Sequence, residues 1–195
     1  VAGVVWFRHT SGSFKDRAES AHWSAVEPEK EARMCRLVGL WMLAALALEP
    51  EAVLGQGVVT QRNLSLGLAR TIAEAALAEC KSKGFNTSVA VVDRAGQVLV
   101  ILRDENATAQ TAEMSRRKAY TSRMFRTSTM EFQKRTAEPG YAAQRDVADI
   151  LALGGGVPIQ IGSDVIGGVG SSGSSQEQDD ACAKAGVAKV ADFLK

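Results

Sequence analysis

Histidine is nearly absent from this chain: the 195 residues contain two, His9 and His22. Beyond residue 22 no imidazole can serve as general base, proton shuttle or metal ligand. Cysteine is scarce as well. Cys35, Cys80 and Cys182 form no C-x-x-C pair and have no histidine at metal-ligand spacing, which excludes a zinc-finger arrangement. No G-x-S-x-G, H-E-x-x-H or Walker A sequence occurs, so no catalytic and no metal-ligating residue is assigned. Neither sign of charge dominates. Lys and Arg number 23 against 22 Asp and Glu, a net +1 that exerts no pull toward nucleic acid or an anionic membrane. The longest apolar run, residues 37–48, falls short of the ~20 residues of a stable membrane span.

What is present begins with a leader-like stretch. Residues 1–33 are polar, acidic toward their end at Glu27, Glu29 and Glu31, and weakly patterned. Met34-Cys35-Arg36 precede the apolar run and Glu49-Pro50 close it. A short basic start, an apolar stretch of this length and small residues after it match a secretory signal peptide over 34–55. Val53 and Gly55 would stand at −3 and −1, leaving Gln56 as the new terminus. The expectation is a physiological start at Met34, an upstream segment 1–33 outside the fold, and a periplasmic or secreted domain over 57–195. An uncleaved anchor, or a cytosolic amphipathic helix behind a disordered tail, is the alternative.

Within the domain, Leu64, Leu68, Ile72, Ala75 and Ala76 recur at helical spacing, with Asn63 or Ser65 as cap and Gly84 as stop. Residues 88–93 and 97–102 read as strands joined by the hairpin turn Asp93-Arg94-Ala95-Gly96. A polar loop over 104–109 leads to a helix from Thr111 to about Phe125. Residues 127–134 form a short helix capped by Ser128 or Thr129, broken at Glu138-Pro139-Gly140-Tyr141, with a further helical turn within 145–153. Strands 158–161 and 165–169 flank Gly162-Ser163-Asp164. A final helix, capped by Ser174 or Ser175, runs to about Phe193 and presents Ala181, Ala185, Val187 and Ala188 as a small-residue packing face. Hairpin-type links outnumber crossovers, which predicts an α+β domain on an antiparallel sheet. Cys80 and Cys182 fall in two of the helices: they are two buried thiols or, where those helices are adjacent in an oxidising compartment, a disulfide.

Two features bear on function. The helix over 111–125 carries Arg116, Arg117, Lys118 and Arg123, with Arg126 just beyond. This basic surface is either a solvated face or an anion site. Gly168-Val169-Gly170-Ser171-Ser172-Gly173 has G-x-G-x-x-G spacing, but the upstream βαβ pattern of a dinucleotide fold is missing. It reads as a tight strand-to-helix turn, and the amides of Gly170, Ser171, Ser172 and Gly173 are a candidate anion-binding turn. Asp179 and Asp180 read as favourable charge in a first helical turn, and Asp93 as turn chemistry.

Five blocks taken in order resemble the GlcG/HbpS family, related to the PduO C-terminal-like domain. They are Val92-Asp93-Arg94-Ala95-Gly96, Arg117-Lys118-Ala119-Tyr120-Thr121-Ser122, Gly154-Gly155-Gly156-Val157-Pro158-Ile159, Ile166–Gly173, and Gln178-Asp179-Asp180-Ala181-Cys182-Ala183. The match spans about residues 60–195. The resemblance implies profilin-like α/β/α layers around a five-stranded antiparallel sheet, homo-oligomers, secretion and haem as cofactor. Haem-binding relatives use a histidine on the iron, which residues 57–195 lack; Met114, Met124, Met130, Tyr120, Tyr141 or a cysteine would have to replace it. Arg116, Arg117, Arg123, Tyr120 and Met114 are the candidate cofactor-binding residues. The leading expectation is an exported, non-catalytic, oligomeric haem or tetrapyrrole-binding protein. The alternatives are an enzyme or accessory acting on a small organic acid, as in glycolate utilisation, and a sensory or structural oligomer that binds a partner such as a sensor protein.

Overall fold

The computed structural model of the chain describes Gly57 and residues 59–195. The chain divides into two units, Val1–Gly57 and Val58–Lys195, and the description below is of the second. The leader expected over 34–55 lies outside the described residues.

Helix α1 (Leu66–Ser82) starts where Ser65 accepts a hydrogen bond from the Leu68 amide at 3.3 Å, and stops before Gly84, whose φ of +82° suits glycine. It buries Ala69, Ile72, Ala73, Ala76 and Cys80, a stripe at three- and four-residue spacing. Strands β1 (Ser88–Val92) and β2 (Val98–Arg103) follow as a hairpin. The Asp93 carboxylate makes the turn, accepting from the amides of Ala95 (2.8 Å) and Gln97 (2.9 Å) while Gly96 takes φ +81°. Helix α2 (Gln110–Phe125) leads to α3 (Thr129–Arg135), capped by Ser128, and to a 3-10 helix, Pro139–Asp146. Strands β3 (Gly156–Ile161) and β4 (Asp164–Ser172) form the second hairpin, and α4 (Gln176–Lys189), capped by Ser175, completes the domain.

The sheet runs β2-β1-β4-β3, with every neighbouring pair antiparallel. It has four strands among the described residues, one fewer than the family resemblance implies. The residues between α2 and β3 go into α3, the 3-10 helix and loop, so β2 and β3 are left as the edges.

Helices α1 and α4 cover one face. Their core is apolar: Ile72, Ala73 and Ala76 meet Val89, Val91, Ile159, Val169 and Ala183. The two helices run antiparallel, since Cys80 faces Cys182 while Gly186 packs on Ile72 and Ala76. Cys80 and Cys182 form a disulfide with Cα atoms 5.5 Å apart, which decides between the two states the sequence left open. It closes a loop with a sequence separation of 102, and a link of that reach stabilises by about 2–4 kcal/mol. The buried residues of α4 are Asp179, Asp180, Cys182, Ala183 and Gly186, a face turned from the expected alanine face. The disulfide and the ion pair of Asp179 both hold it in that orientation.

Helix α2 covers the other face, and there the sheet is nearly bare. Ala90, Val92 and Ala119 are its small apolar cluster. A Cβ on Gly168 would come within 3.0 Å of the Ala119 carbonyl oxygen, one on Gly170 of the Ser115 carbonyl oxygen, and one on Gly156 of the Lys118 carbonyl oxygen. The glycine clusters are therefore the contact surface of α2, whose backbone lies directly on β4 and β3.

Gly170→Ala is expected to lower the unfolding free energy by about 1–3 kcal/mol through overpacking against α2. Gly67→Ala, in α1 with nothing within 4 Å of the added carbon, is expected to raise it by about 0.4–1 kcal/mol. Urea unfolding of both variants checks the pair; a neutral Gly170→Ala would contradict the close approach.

Candidate functional site

The basic residues of α2 do not share one surface. Lys118 points inward and is 1% exposed. Its ammonium donates to the Ser171 carbonyl at 2.9 Å and to Asp179 Oδ2 at 2.9 Å, and Asp179 is itself 2% exposed. Asp179 Oδ1 accepts from the amide (3.1 Å) and hydroxyl (2.7 Å) of Ser174. Gly155, at φ +117°, leaves the gap in which these groups meet; a Cβ there would sit 2.7 Å from Ser171 O and 3.0 Å from Lys118 Nζ. Burial pushes the Lys118 ammonium below the ordinary lysine range, against the pull of Asp179. Asp179 is thus a partner of Lys118 as well as a first-turn charge on α4. Asp180 pairs with Lys184 at 2.6 Å.

Arg116 and Arg117 turn toward residues 149–150. Arg116 donates to both Glu113 oxygens (2.8 and 2.7 Å) and to Asp149 (2.6 Å), and Glu113 and Asp149 hold its guanidinium above the ordinary arginine range. Arg117 donates to the Ile150 carbonyl at 2.6 Å. Carboxylates of the protein engage Arg116, and the Ile150 carbonyl engages one terminal nitrogen of Arg117, whose Nε is buried without a partner. Met114 is half-buried on the same helix. Gly170, Ser171 and Ser172 are buried residues of β4, and the Ser171 amide donates to Gly155 O at 2.9 Å. The strand continues where a turn with free amides was expected, because β1 pairs with it as far as Ser172. Gly173, at φ +140°, makes the bend.

Arg123 behaves differently. It lies near the C-terminal end of α2, is 9% exposed, and hydrogen-bonds to no described residue. Its Nε is shut off from solvent without a partner. Burial comes first, then the charges of Arg94 and Arg126, in pushing this guanidinium below its ordinary range. It lines a cleft of about 530 Å³ together with Val59, Gln61, Asn63, Arg94 and Ala95. Arg94, in the β1–β2 turn, is locked: Nε donates to the Arg62 carbonyl at 2.6 Å, an Nη donates to Asp164 Oδ2, and its amide donates to Asn63 Oδ1 at 3.0 Å. Tyr120 and Met124 pack on Gly96, where a Cβ would fall within 3.0 Å of either. The structure therefore brings Arg123 and Tyr120 to the β1–β2 turn and separates them from Arg116 and Arg117. Sequence reasoning missed Arg94, Asn63 and Asp164, since Arg94 was read only as part of a turn.

Residues 64–188 match the family described as haem degrading protein HbpS-like. The chain belongs to the HbpS-like family. GlcG of Escherichia coli (strain K12) is 31% identical over 113 residues, 58% of this chain and 84% of GlcG. A 15.0 kDa protein from the dhaT-dhaS intergenic region of Citrobacter freundii is 34% identical over 123 residues, 60% of this chain and 84% of that protein. Among solved structures, HbpS aligns with a TM-score of 0.66 and 35% identity, over 69% of this chain and 94% of HbpS. A PduOC:heme complex aligns with a TM-score of 0.59 and 27% identity, over 65% of this chain and 94% of PduOC. Haem is the group that PduOC holds in that structure.

The described residues fit the acidic arms of such a group better than its iron. Arg123 offers a guanidinium whose Nε has no partner and whose side chain bonds to no described residue. No histidine, and no group of three His, Cys, Asp or Glu that could hold a metal ion, exists among the described residues. Both described cysteines are consumed by the disulfide, which removes them as iron ligands. Met130 packs on Gly154, and Tyr120 and Met124 on Gly96.

Lys118→Met is expected to cost about 3–5 kcal/mol, since it strands a buried carboxylate, and Lys118→Met with Asp179→Leu to recover much of that loss. Sign follows from the lowered pKa. Between its folded value and the ordinary 10.5, the unfolded chain holds more protons, so the contribution of Lys118 to stability rises with pH. Urea unfolding of wild type and Lys118→Met across pH 8–10.5 checks both statements.

Proposed function

We propose that this domain is an exported, homo-oligomeric haem or tetrapyrrole-binding protein whose role is binding rather than catalysis. The observation that carries the reading is membership of the HbpS-like family together with the likeness to the haem-bound PduOC structure. The cationic cleft at Arg123 supports it, because a carboxylate arm would give this guanidinium a partner that no described residue supplies. Bound haem would supply an iron centre for ligand or electron chemistry. The chain's own residues would bind and orient the acidic edge: Arg123 from α2, Arg94 from the turn, and Tyr120 beside Gly96. A second reading, turnover of the bound haem, is favoured by the description of the family.

Further observations support export and assembly. A disulfide between fully buried cysteines persists in an oxidising compartment, and residues 34–55 have the composition of a signal peptide. No helix among the described residues is long and apolar enough to cross a membrane. The two sheet edges, β2 and β3, are open to pairing with a second copy.

Titration of the full chain with hemin is expected to give a shifted, saturating Soret band at about one haem per chain or per symmetric pair; a band that grows without saturation would remove haem as the ligand. Decay of that band under reductant and oxygen, with release of an open-chain tetrapyrrole, would select turnover over binding. Protein recovered from its native host is expected to begin at Gln56 and to carry no free thiol at Cys80 or Cys182. A terminus at Val1 on soluble protein would sink the export reading.

A further inference from the structure

We propose that the cleft between the β1–β2 turn and the C-terminal end of α2 is a carboxylate-binding site, with Arg123 as the group that receives the anion. Three observations carry this. Arg123 is about nine-tenths buried, lines the cleft, and has an Nε closed to solvent and without a partner, so an anion in the cleft would meet the guanidinium at its terminal nitrogens. Arg117 and Arg135 also have a buried Nε without a partner, but each places a terminal nitrogen on an oxygen of the protein, whereas the Arg123 side chain bonds to no described residue. Its surroundings are built rather than incidental. Gly168 leaves room for the Arg123 stem, with 3.1 Å from a Cβ at that glycine to the Arg123 Cβ. Arg94, whose Nε and one Nη are tied to Arg62 and Asp164, cannot turn away from the cleft.

The charge balance selects the ligand class. Asp164 neutralises Arg94. Asp93 is near enough for its charge to act on Arg123 but spends one carboxylate oxygen on the amides of Ala95 and Gln97. Among the described groups whose charges act on Arg123, Arg94 and Arg126 are set against Asp164 and Asp93, which leaves the positive charge of Arg123 itself in excess. A monoanionic carboxylate matches it in charge and in planar fork geometry, whereas a phosphate dianion would overcompensate it. Gln61 and Asn63 line the same cleft and suit a second polar group on the ligand.

The carboxylate has two sources, a free small organic acid or an acid arm of a tetrapyrrole. Only the choice of source rests on the tetrapyrrole reading; the chemistry of the site does not. The test uses the full chain with ¹⁵N-labelled arginine, following the Arg123 Nε–Hε signal, assigned by its loss in Arg123→Lys. Acetate is the probe, and sodium chloride at equal ionic strength is the control. The expected result is a saturating shift of that signal and a rise in Tm with acetate alone. Arg123→Lys should weaken acetate binding about tenfold or more, because the fork is lost. Arg70→Gln, on the exposed side of α1, should bind like wild type. A signal that stays still or moves equally with chloride, or an Arg123→Lys protein that binds acetate as wild type does, overturns the proposal.

Competition then identifies the source. Displacement of acetate by hemin but not by hemin dimethyl ester assigns the site to an acid arm. Displacement by neither, with the acetate response intact, assigns it to a free acid. Displacement by the ester as well means that the cleft recognises the ring, and overturns the proposal. Failure of hemin to saturate the protein, with acetate still binding, removes the tetrapyrrole reading and leaves the carboxylate site standing.

Discussion

The ammonium of Lys118 sits in the gap beside Gly155, shared between a β4 carbonyl and the first turn of α4. That contact links the two helical layers, because α2 lies on one face of the sheet and α4 on the other. It forms only because α2 comes down onto a face cleared of side chains at Gly156, Gly168 and Gly170. A sheet with ordinary β-branched residues at those positions would hold the helix farther off, and a lysine side chain would no longer span the distance with its charge paired. An unpaired buried ammonium is costly enough to unfold a domain of this size. The glycines and the ion pair are therefore one constraint read from its two ends.

The opposite face is built by other means. There α1 and α4 pack through alanines, a glycine and aliphatic side chains over an apolar core, and the Cys80–Cys182 disulfide ties the end of α1 to the middle of α4. Hydrophobic burial is non-directional, so this layer needs a covalent link or a polar contact to set its rotation. The disulfide and Asp179 lie three residues apart on α4, on one face, and together they orient that helix.

The site grows out of the α2 layer. With α2 held against β4, its last turns bring Tyr120, Arg123 and Met124 to the β1–β2 turn, where Arg94 is already clamped by Asp164 and the Arg62 carbonyl. A guanidinium left unsatisfied in so well-ordered a place costs stability, the usual mark of a group kept for a ligand. The contrast with Arg116 and Arg117 is instructive. These two occupy the same helix and the same stretch of sequence, yet carboxylates hold the first and a carbonyl holds one terminal nitrogen of the second, whose Nε shares the unpartnered state of Arg123 Nε. Membership of a haem-linked family and an open cationic cleft point in one direction without depending on each other.

Much of this was legible in the residues alone. Period-two runs bounded by turn residues located both hairpins, and Ser65, Ser128 and Ser175 marked three helix starts, because these signals act over a few residues. The ordered blocks were enough to suggest the family. What the tertiary structure decided was which polar groups are paired. Lys118 and Asp179 are 61 residues apart in the chain and Arg94 and Asp164 are 70 apart, separations at which no local pattern reports a contact. For the same reason a string of arginines on one helix looked like one basic surface, and two cysteines 102 residues apart looked like free thiols as readily as a bridge. Local sequence sets the conformation of each element; the burial and charge state of a side chain are set by what the fold brings opposite it.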